Sequence, residues 1–249
     1  MKIAFLTTDD PLYLPEFFGK VLKQRARETQ GVYVVPPLYH RQTPLQAAWR
    51  YYRSFGLAAS FGLGWNMLRC KFRGQSIASV CHRHGVECAF VPDVNAPGFV
   101  EELRRAAPDV AVSVSCPQIF RAPLMAVPPL GILNIHGAML PQYRGVMPGF
   151  WMLANGETQA GVSIYFVNEQ IDAGSLCAQQ PFGILPRETL DQFLRRSKSI
   201  SADLLLDVLR ALENGRVARR PLDLSQGSYY SWPDAGAVRR FHATGRGIW

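Results

Sequence analysis

The chain has 249 residues, 48% of them hydrophobic, and a formal net charge of +8. That length and apolar content suffice to bury a core in one large or two small domains, which excludes a disordered or fibrous chain. The positive balance favours an anionic substrate or surface as partner.

Five cysteines, an odd number without even spacing, point to a reducing compartment. The apolar run after Met1-Lys2 is too short for a signal peptide, so a cytoplasmic location is expected. Ile3 to Thr7 reads as a buried first strand, and Leu12 to Arg27 carries apolar residues at helical spacing before Gly31. Val32 to Val35 is a second strand. This order implies the α/β class, a Rossmann-like, mostly parallel twisted sheet flanked by helices. The turn after the first strand, Thr8-Asp9-Asp10-Pro11, holds two carboxylates and no glycine, so it cannot cradle a phosphate as a Gly-rich turn does.

Residues 36–74 interrupt the pattern. They mix aromatic side chains (Tyr39, Trp49, Tyr51, Tyr52, Phe55, Phe61, Trp65, Phe72) with basic ones (Arg41, Arg50, Arg53, Arg69, Lys71, Arg73), and no acidic residue occurs from Thr29 to Val86. Ser54 to Leu68 is mostly apolar but shorter than the roughly 20 residues that span a bilayer. A helical insertion is expected, and four roles stay open for it: a lid, a grip on an anionic substrate, a peripheral membrane contact through residues 50–73, or a hairpin that simply packs on the domain.

Ser76 to His84 reads as a helix closed by Gly85, and Glu87 to Val91 as the next strand. Cys81-His82-Arg83-His84 with Cys88 offers ligand-type side chains, but they straddle a helix and a strand, and no metal is expected. After a helix over Pro97 to Ala106, the β-branched run Asp109 to Ser115 predicts a central strand. It ends in Cys116-Pro117-Gln118-Ile119-Phe120, where open parallel sheets gather their ligands. Cys116 has no paired base in the sequence, which speaks against a nucleophile.

Gly131 to Gly145 holds the densest chemistry. Asn134 and His136 stand two residues apart and therefore share one face of an extended chain, and Leu140-Pro141 and Arg144-Gly145 then turn the chain away. A carboxamide can donate to a developing oxyanion, and an imidazole can take or give a proton beside it. A polar strand end capped by a turn is the bland alternative. Pro148 to Asn155 reads as a short helix. The strand Val162 to Val167 leads through Asn168-Glu169-Gln170 to Ile171-Asp172-Ala173-Gly174, where a carboxylate can orient His136. Leu176 to Ile184 is expected to pair antiparallel with that strand, and Glu188 to Asn214 to form a long amphipathic helix before Gly215. Residues 216–249, with Tyr229-Tyr230-Ser231-Trp232-Pro233 and Arg239, Arg240 and Arg246, are then a short C-terminal extension to a catalytic domain over residues 1–215.

Asn134-Ile135-His136, the turn Met139-Leu140-Pro141 and Asp172-Ala173-Gly174 together resemble the signature of the folate-dependent formyltransferases. That family includes glycinamide ribonucleotide, methionyl-tRNA and sugar N-formyltransferases. The resemblance runs from about Asp109 to Gly215, with Ala138 where the signature has a serine. It implies the formyltransferase fold and transfer of a formyl group from 10-formyltetrahydrofolate to a primary amine, with Asn134, His136 and Asp172 catalytic. It sets Gln118, Ile119, Phe120, Leu140, Val167, Asn168, Glu169, Gln170 and Ile171 against the folate, and Cys116, Pro117, Gly137 and Tyr165 toward the acceptor. His136 acts either as the base for the amine or, when protonated, as a second oxyanion donor.

The acceptor that the resemblance implies is a small anionic amine, a nucleotide-linked or lipid-linked amino sugar. The glycine-free first turn argues against glycinamide ribonucleotide. Residues 216–249 are too few for the added barrel domain of methionyl-tRNA formyltransferases. Formyltetrahydrofolate hydrolases carry an N-terminal regulatory domain, whereas Met1 opens straight into the first strand. That hydrolase and a non-catalytic folate-binding protein stand as the alternatives. DNA is not an expected partner, and missing RNA motifs count against RNA.

Overall fold

Ile3–Thr8 is buried along its whole length. A strand apolar on both faces belongs inside a sheet covered on both sides. It forms β1, from which α1 (Leu14–Arg25) leads to β2 (Thr29–Val35). The structure, a computed structural model, describes residues 1–37 and 42–249; Tyr39 and Arg41 of the aromatic and basic stretch lie outside the described residues. Next come α2 (Pro44–Phe72), α3 (Ile77–Arg83), β3 (Cys88–Phe90), α4 (Pro97–Ala106), β4 (Val110–Val114), α5 (Ala122–Met125) and β5 (Ile132–His136). The rest is β6 (Arg144–Gly145), α6 (Pro148–Ala154), β7 (Gln159–Phe166), β8 (Ser175–Gly183), α7 (Leu190–Glu213), β9 (Tyr229–Tyr230) and α8 (Ala235–Ala243).

The main sheet has the order β3-β2-β1-β4-β5-β7-β8. Its first five strands run parallel, and β7 and β8 join antiparallel, as the sequence predicts for Val162 to Val167 and Leu176 to Ile184. The chain leaves β1 for β2 on one side and resumes at β4 on the other. Connections therefore diverge at the carboxyl ends of β1 and β4, which leaves a crevice there. One sheet face is covered by α1, α3 and α7, through Phe17, Phe18, Val80, Leu205 and Leu209; the other is covered through Phe99, Val100 and Leu103 of α4.

Helix ends follow local chemistry. Thr189 and Gln192 close a capping box at the start of α7, and Thr43 and Gln46 do the same for α2. Gly56 takes φ 81° inside α2, which breaks the expected insertion into two helical pieces. Among the described residues no group of three or more His, Cys, Asp and Glu is placed to hold a metal ion.

Residues 216–249 fold back onto the domain. Asp234 caps α8 by accepting from the Ala237 amide at 2.7 Å. Ala237, Val238, Phe241 and Ile248 are buried together with Phe55 of α2, Phe150 of α6 and Phe193 of α7. No element is legible here in the sequence, because a helix of nine residues and a strand of two are too short to show a period. Phe241 is fully buried and stacks on Phe150 with ring centroids 5.2 Å apart. Phe241→Ala is expected to lower the unfolding free energy by about 3–5 kcal/mol in urea titrations; a change below about 1 kcal/mol would show that α8 packs only loosely.

Candidate active site

The polar residues of β5 emerge beside β7. Asn134 stands directly opposite Tyr165 in the antiparallel register, and His136 opposite Ser163. Cross-strand partners share a face, so the Asn134 amide Nδ2 reaches the Tyr165 hydroxyl at 2.9 Å. That hydroxyl donates onward to Asp172 Oδ1 at 2.7 Å. Asp172 Oδ2 accepts from the Gly145 amide at 2.8 Å and lies 3.7 Å from His136 Nδ1. His136 and Asp172 are both buried.

The imidazole is held from its other side. Its Nε2 lies 2.8 Å from the Tyr143 carbonyl oxygen. A carbonyl only accepts, so Nε2 carries the hydrogen and Nδ1 is the nitrogen free to exchange a proton. Tyr165's phenol is pushed above its ordinary range, first by burial and then by the Asp172 charge, so it stays a donor.

Two glycines let these segments meet. A Cβ on Gly174 would collide with the Phe166 carbonyl oxygen, which accounts for the glycine two residues after Asp172. Gly145 has φ 95°, and a Cβ there would strike the Tyr230 carbonyl oxygen of β9. The loop from Leu140 to Gly145, which begins with a cis Leu140–Pro141 peptide, is thus fastened to the C-terminal residues. Tyr143 N donates to Ser228 Oγ at 2.8 Å, and β6 pairs in parallel with β9. Ala138, in the place of the signature serine, is fully buried; the turn is held by Ser163, which donates to the Ala138 carbonyl at 2.6 Å and accepts from the Leu140 amide at 2.9 Å.

A cleft of about 660 Å³ opens over this cluster. Asn134, His136, Gly137, Tyr165 and Asp172 line its floor. Cys116, Pro117, Gln118, Ile119 and Phe120 form one rim, and Val167, Asn168, Glu169, Gln170 and Ile171 another. Leu140 is the exception: it packs with Tyr165 and Leu176 outside the cleft, so its role is to support the floor. The Gln118 side chain is tied to Pro92 and Val94, and Asn95 bonds the Ile119 carbonyl and the Arg121 amide, which fixes the rim loop. Burial pushes the Cys116 thiol up to about 11, leaving it protonated and unsuited to nucleophilic attack at neutral pH.

Several residues of the cleft carried no sequence signal. On the side of α1 and α7 lie Asp10, Tyr13, Ser115 and Lys198. Lys198 Nζ donates to Ser115 Oγ at 2.7 Å; desolvation holds this ammonium below the usual lysine range, and Asp10 partly offsets it. Lys198 sits among the other polar residues of a long helix, and nothing in its spacing marks it.

A family model described as formyl transferase matches residues 76–209, more than half of the chain. The chain belongs to the formyl transferase family. It is 32% identical over 166 residues to the methionyl-tRNA formyltransferase of Trichlorobacter lovleyi, an alignment covering 65% of this chain and 52% of that protein. The chain spans about half the length of the curated relatives it matches. Among solved structures, glycinamide ribonucleotide transformylase 1 from Symbiobacterium toebii superposes with a TM-score of 0.62 at 18% identity, covering 90% of this chain and 94% of that one. A sugar N-formyltransferase from Shewanella sp. FDAARGOS_354 gives 0.60 at 20% identity, covering 93% and 77%. The N-formyltransferase from Helicobacter canadensis, in complex with folinic acid and dTDP-3-aminofucose, gives 0.59 at 15% identity, covering 93% and 71%. At these identities the structural likeness shows that this chain shares their fold.

Tyr165→Phe removes the hydroxyl that joins Asn134 to Asp172 and leaves buried partners unsatisfied. A loss of about 1–3 kcal/mol is expected in chemical denaturation at neutral pH. The sign with pH follows from the raised phenol: the native state keeps a proton that the unfolded chain releases, so this contribution is complete below pH 10 and lost above it. Stability of Tyr165→Phe should therefore fall less steeply above about pH 10 than that of the unaltered chain. Parallel alkaline limbs for the two proteins would contradict the placement.

Proposed function

We propose that this chain transfers a formyl group from 10-formyltetrahydrofolate to a primary amine. The observation that carries the reading is the run of contacts Asn134–Tyr165–Asp172 beside His136 on the floor of a single cleft. The reduced folate, when bound, supplies an activated formyl carbon. The cleft suits it: Ile119 and Ile171 both line it and are apolar yet 65% and 48% exposed, side chains suited to a flat heterocycle.

Each side chain then has a role. Asn134 has one amide hydrogen on Tyr165 and directs the other at the formyl oxygen as charge develops there, a contribution of about 3 kcal/mol in comparable sites. His136, with Nε2–H fixed on the Tyr143 carbonyl, takes the amine's proton at Nδ1 and returns it to the folate nitrogen as the bond from that nitrogen to the formyl carbon breaks, leaving the formamide and tetrahydrofolate. Asp172 faces that nitrogen and stabilises the imidazolium that forms. At 3.7 Å the two groups do not bond directly, so a small approach of the ring or a bridging water completes the contact.

For the acceptor, the reading is an anionic amine such as a nucleotide-linked amino sugar. Lys198 and Ser115 in the cleft support it, as does the dTDP-3-aminofucose in the H. canadensis relative. Methionyl-tRNA is the second reading, favoured by the names of the relatives that match at 30–37% identity.

Thermal melting with 5-formyltetrahydrofolate tests the donor, since a ligand that binds only the folded state adds about 2.7 kcal/mol at 100 times its Kd. A rise in Tm is expected, and an unchanged Tm at millimolar ligand would contradict the folate reading. With 10-formyltetrahydrofolate, Asn134→Ala, His136→Ala and Asp172→Asn should fold and lose transfer by about 100-fold or more. Full activity in any of them refutes its assigned role. Formate release without an amine would identify a hydrolase, and formylation of methionyl-tRNA but not of amino sugars would decide for the second acceptor.

A further inference from the structure

The outer face of α2 reverses the usual order of a surface helix. In its second half, Leu57, Phe61, Trp65, Leu68 and Phe72 recur at intervals of four, four, three and four residues, which places them along one face. Each is between 45% and 82% exposed. Ala59 and Cys70 are buried, and Gly62 lies so close to the Trp249 ring that a Cβ would collide with it. Small residues thus face the protein and large apolar ones face solvent. A helix whose only task is to cover a core shows the opposite distribution.

Charge around this stripe has one sign. Arg53, Arg69, Lys71 and Arg73 are exposed, and no Asp or Glu occurs between Glu28 and Glu87. Two copies of the chain meeting here would set cations against cations with no carboxylate from α2 between them. Aromatic and aliphatic side chains bordered by Lys and Arg instead match the boundary between phosphate headgroups and acyl chains.

We propose that the outer face of α2 rests on an anionic lipid bilayer, with Leu57, Phe61, Trp65, Leu68 and Phe72 entering the interface and the flanking cations meeting lipid phosphates. The contact is peripheral, since no helix among the described residues is long and apolar enough to cross a membrane. The inner side of this helix reaches the proposed active site. Phe55 of the same helix packs edge-on against Phe150, a residue of the cleft wall. The proposal does not depend on the formyl transfer reading.

Sedimentation of the full chain with liposomes tests it, comparing phosphatidylcholine alone with phosphatidylcholine containing phosphatidylglycerol. Binding to the anionic liposomes is expected to be at least tenfold tighter than to the neutral ones and to weaken with added salt. Phe61→Glu combined with Trp65→Glu, both at exposed positions, should reduce binding at least tenfold while gel filtration and circular dichroism stay unchanged. Quenching of tryptophan fluorescence by brominated lipids in the unaltered chain gives a readout independent of how any variant folds. Absence of binding, equal binding to both liposomes, or absence of quenching would overturn the proposal. So would a two-chain mass in gel filtration that the double variant reduces to one, which would assign the face to a second copy.

Discussion

A buried carboxylate has to be answered by donors, and the Asp172 side chain organises the site by collecting them. An isolated charge of this kind is costly away from water. Here one oxygen takes the Tyr165 hydroxyl, and the other takes the Gly145 amide and faces His136. These three partners come from β7, from β6 and from β5. Satisfying one group therefore fixes the relative positions of four chain segments. Asp172 itself adopts φ 50°, a left-handed conformation uncommon for a residue with a side chain, and Gly174 beside it leaves room for the Phe166 backbone.

The same constraint reaches the C-terminal residues. The Tyr143 carbonyl that holds His136 sits in a loop whose own amide is taken by Ser228 and whose next residues pair with β9. Tyr143 stacks on Tyr230, and Trp151 of α6 donates its indole hydrogen to the Ser231 carbonyl. The orientation of the imidazole thus passes through the loop to a segment nearly a hundred residues further along the chain. α8 anchors that segment through Phe241 in the satellite core shared by α2, α6 and α7.

Much of this was legible in the sequence because the relevant signals are short-range. Asn134 and His136 share a face by the period of a strand, and the Pro141 and Gly145 turn follows directly. The parallel sheet and its antiparallel edge follow from apolar runs and their spacing. What escaped depends on atoms or pairings that side-chain patterns do not encode. The Tyr143 carbonyl and Gly145 amide are backbone groups. The Tyr165 hydroxyl, expected toward the acceptor, joins Asn134 to Asp172 once the register of β5 against β7 is fixed. Ser163 pins the turn from across the sheet, bonding the Ala138 carbonyl and the Leu140 amide, a contact between strands invisible in a linear motif. Lys198 and the packing of α8 are set by tertiary contacts alone.

The Tyr143 carbonyl fixes His136 as an Nε2–H tautomer, with Nδ1 turned toward Asp172. Nitrogen-15 NMR of the histidine-labelled chain, assigned with His136→Gln, tests this most directly. The expected result is a neutral ring with its hydrogen on Nε2 of His136 and a bare Nδ1. A neutral form with hydrogen on Nδ1 and a bare Nε2 would contradict it.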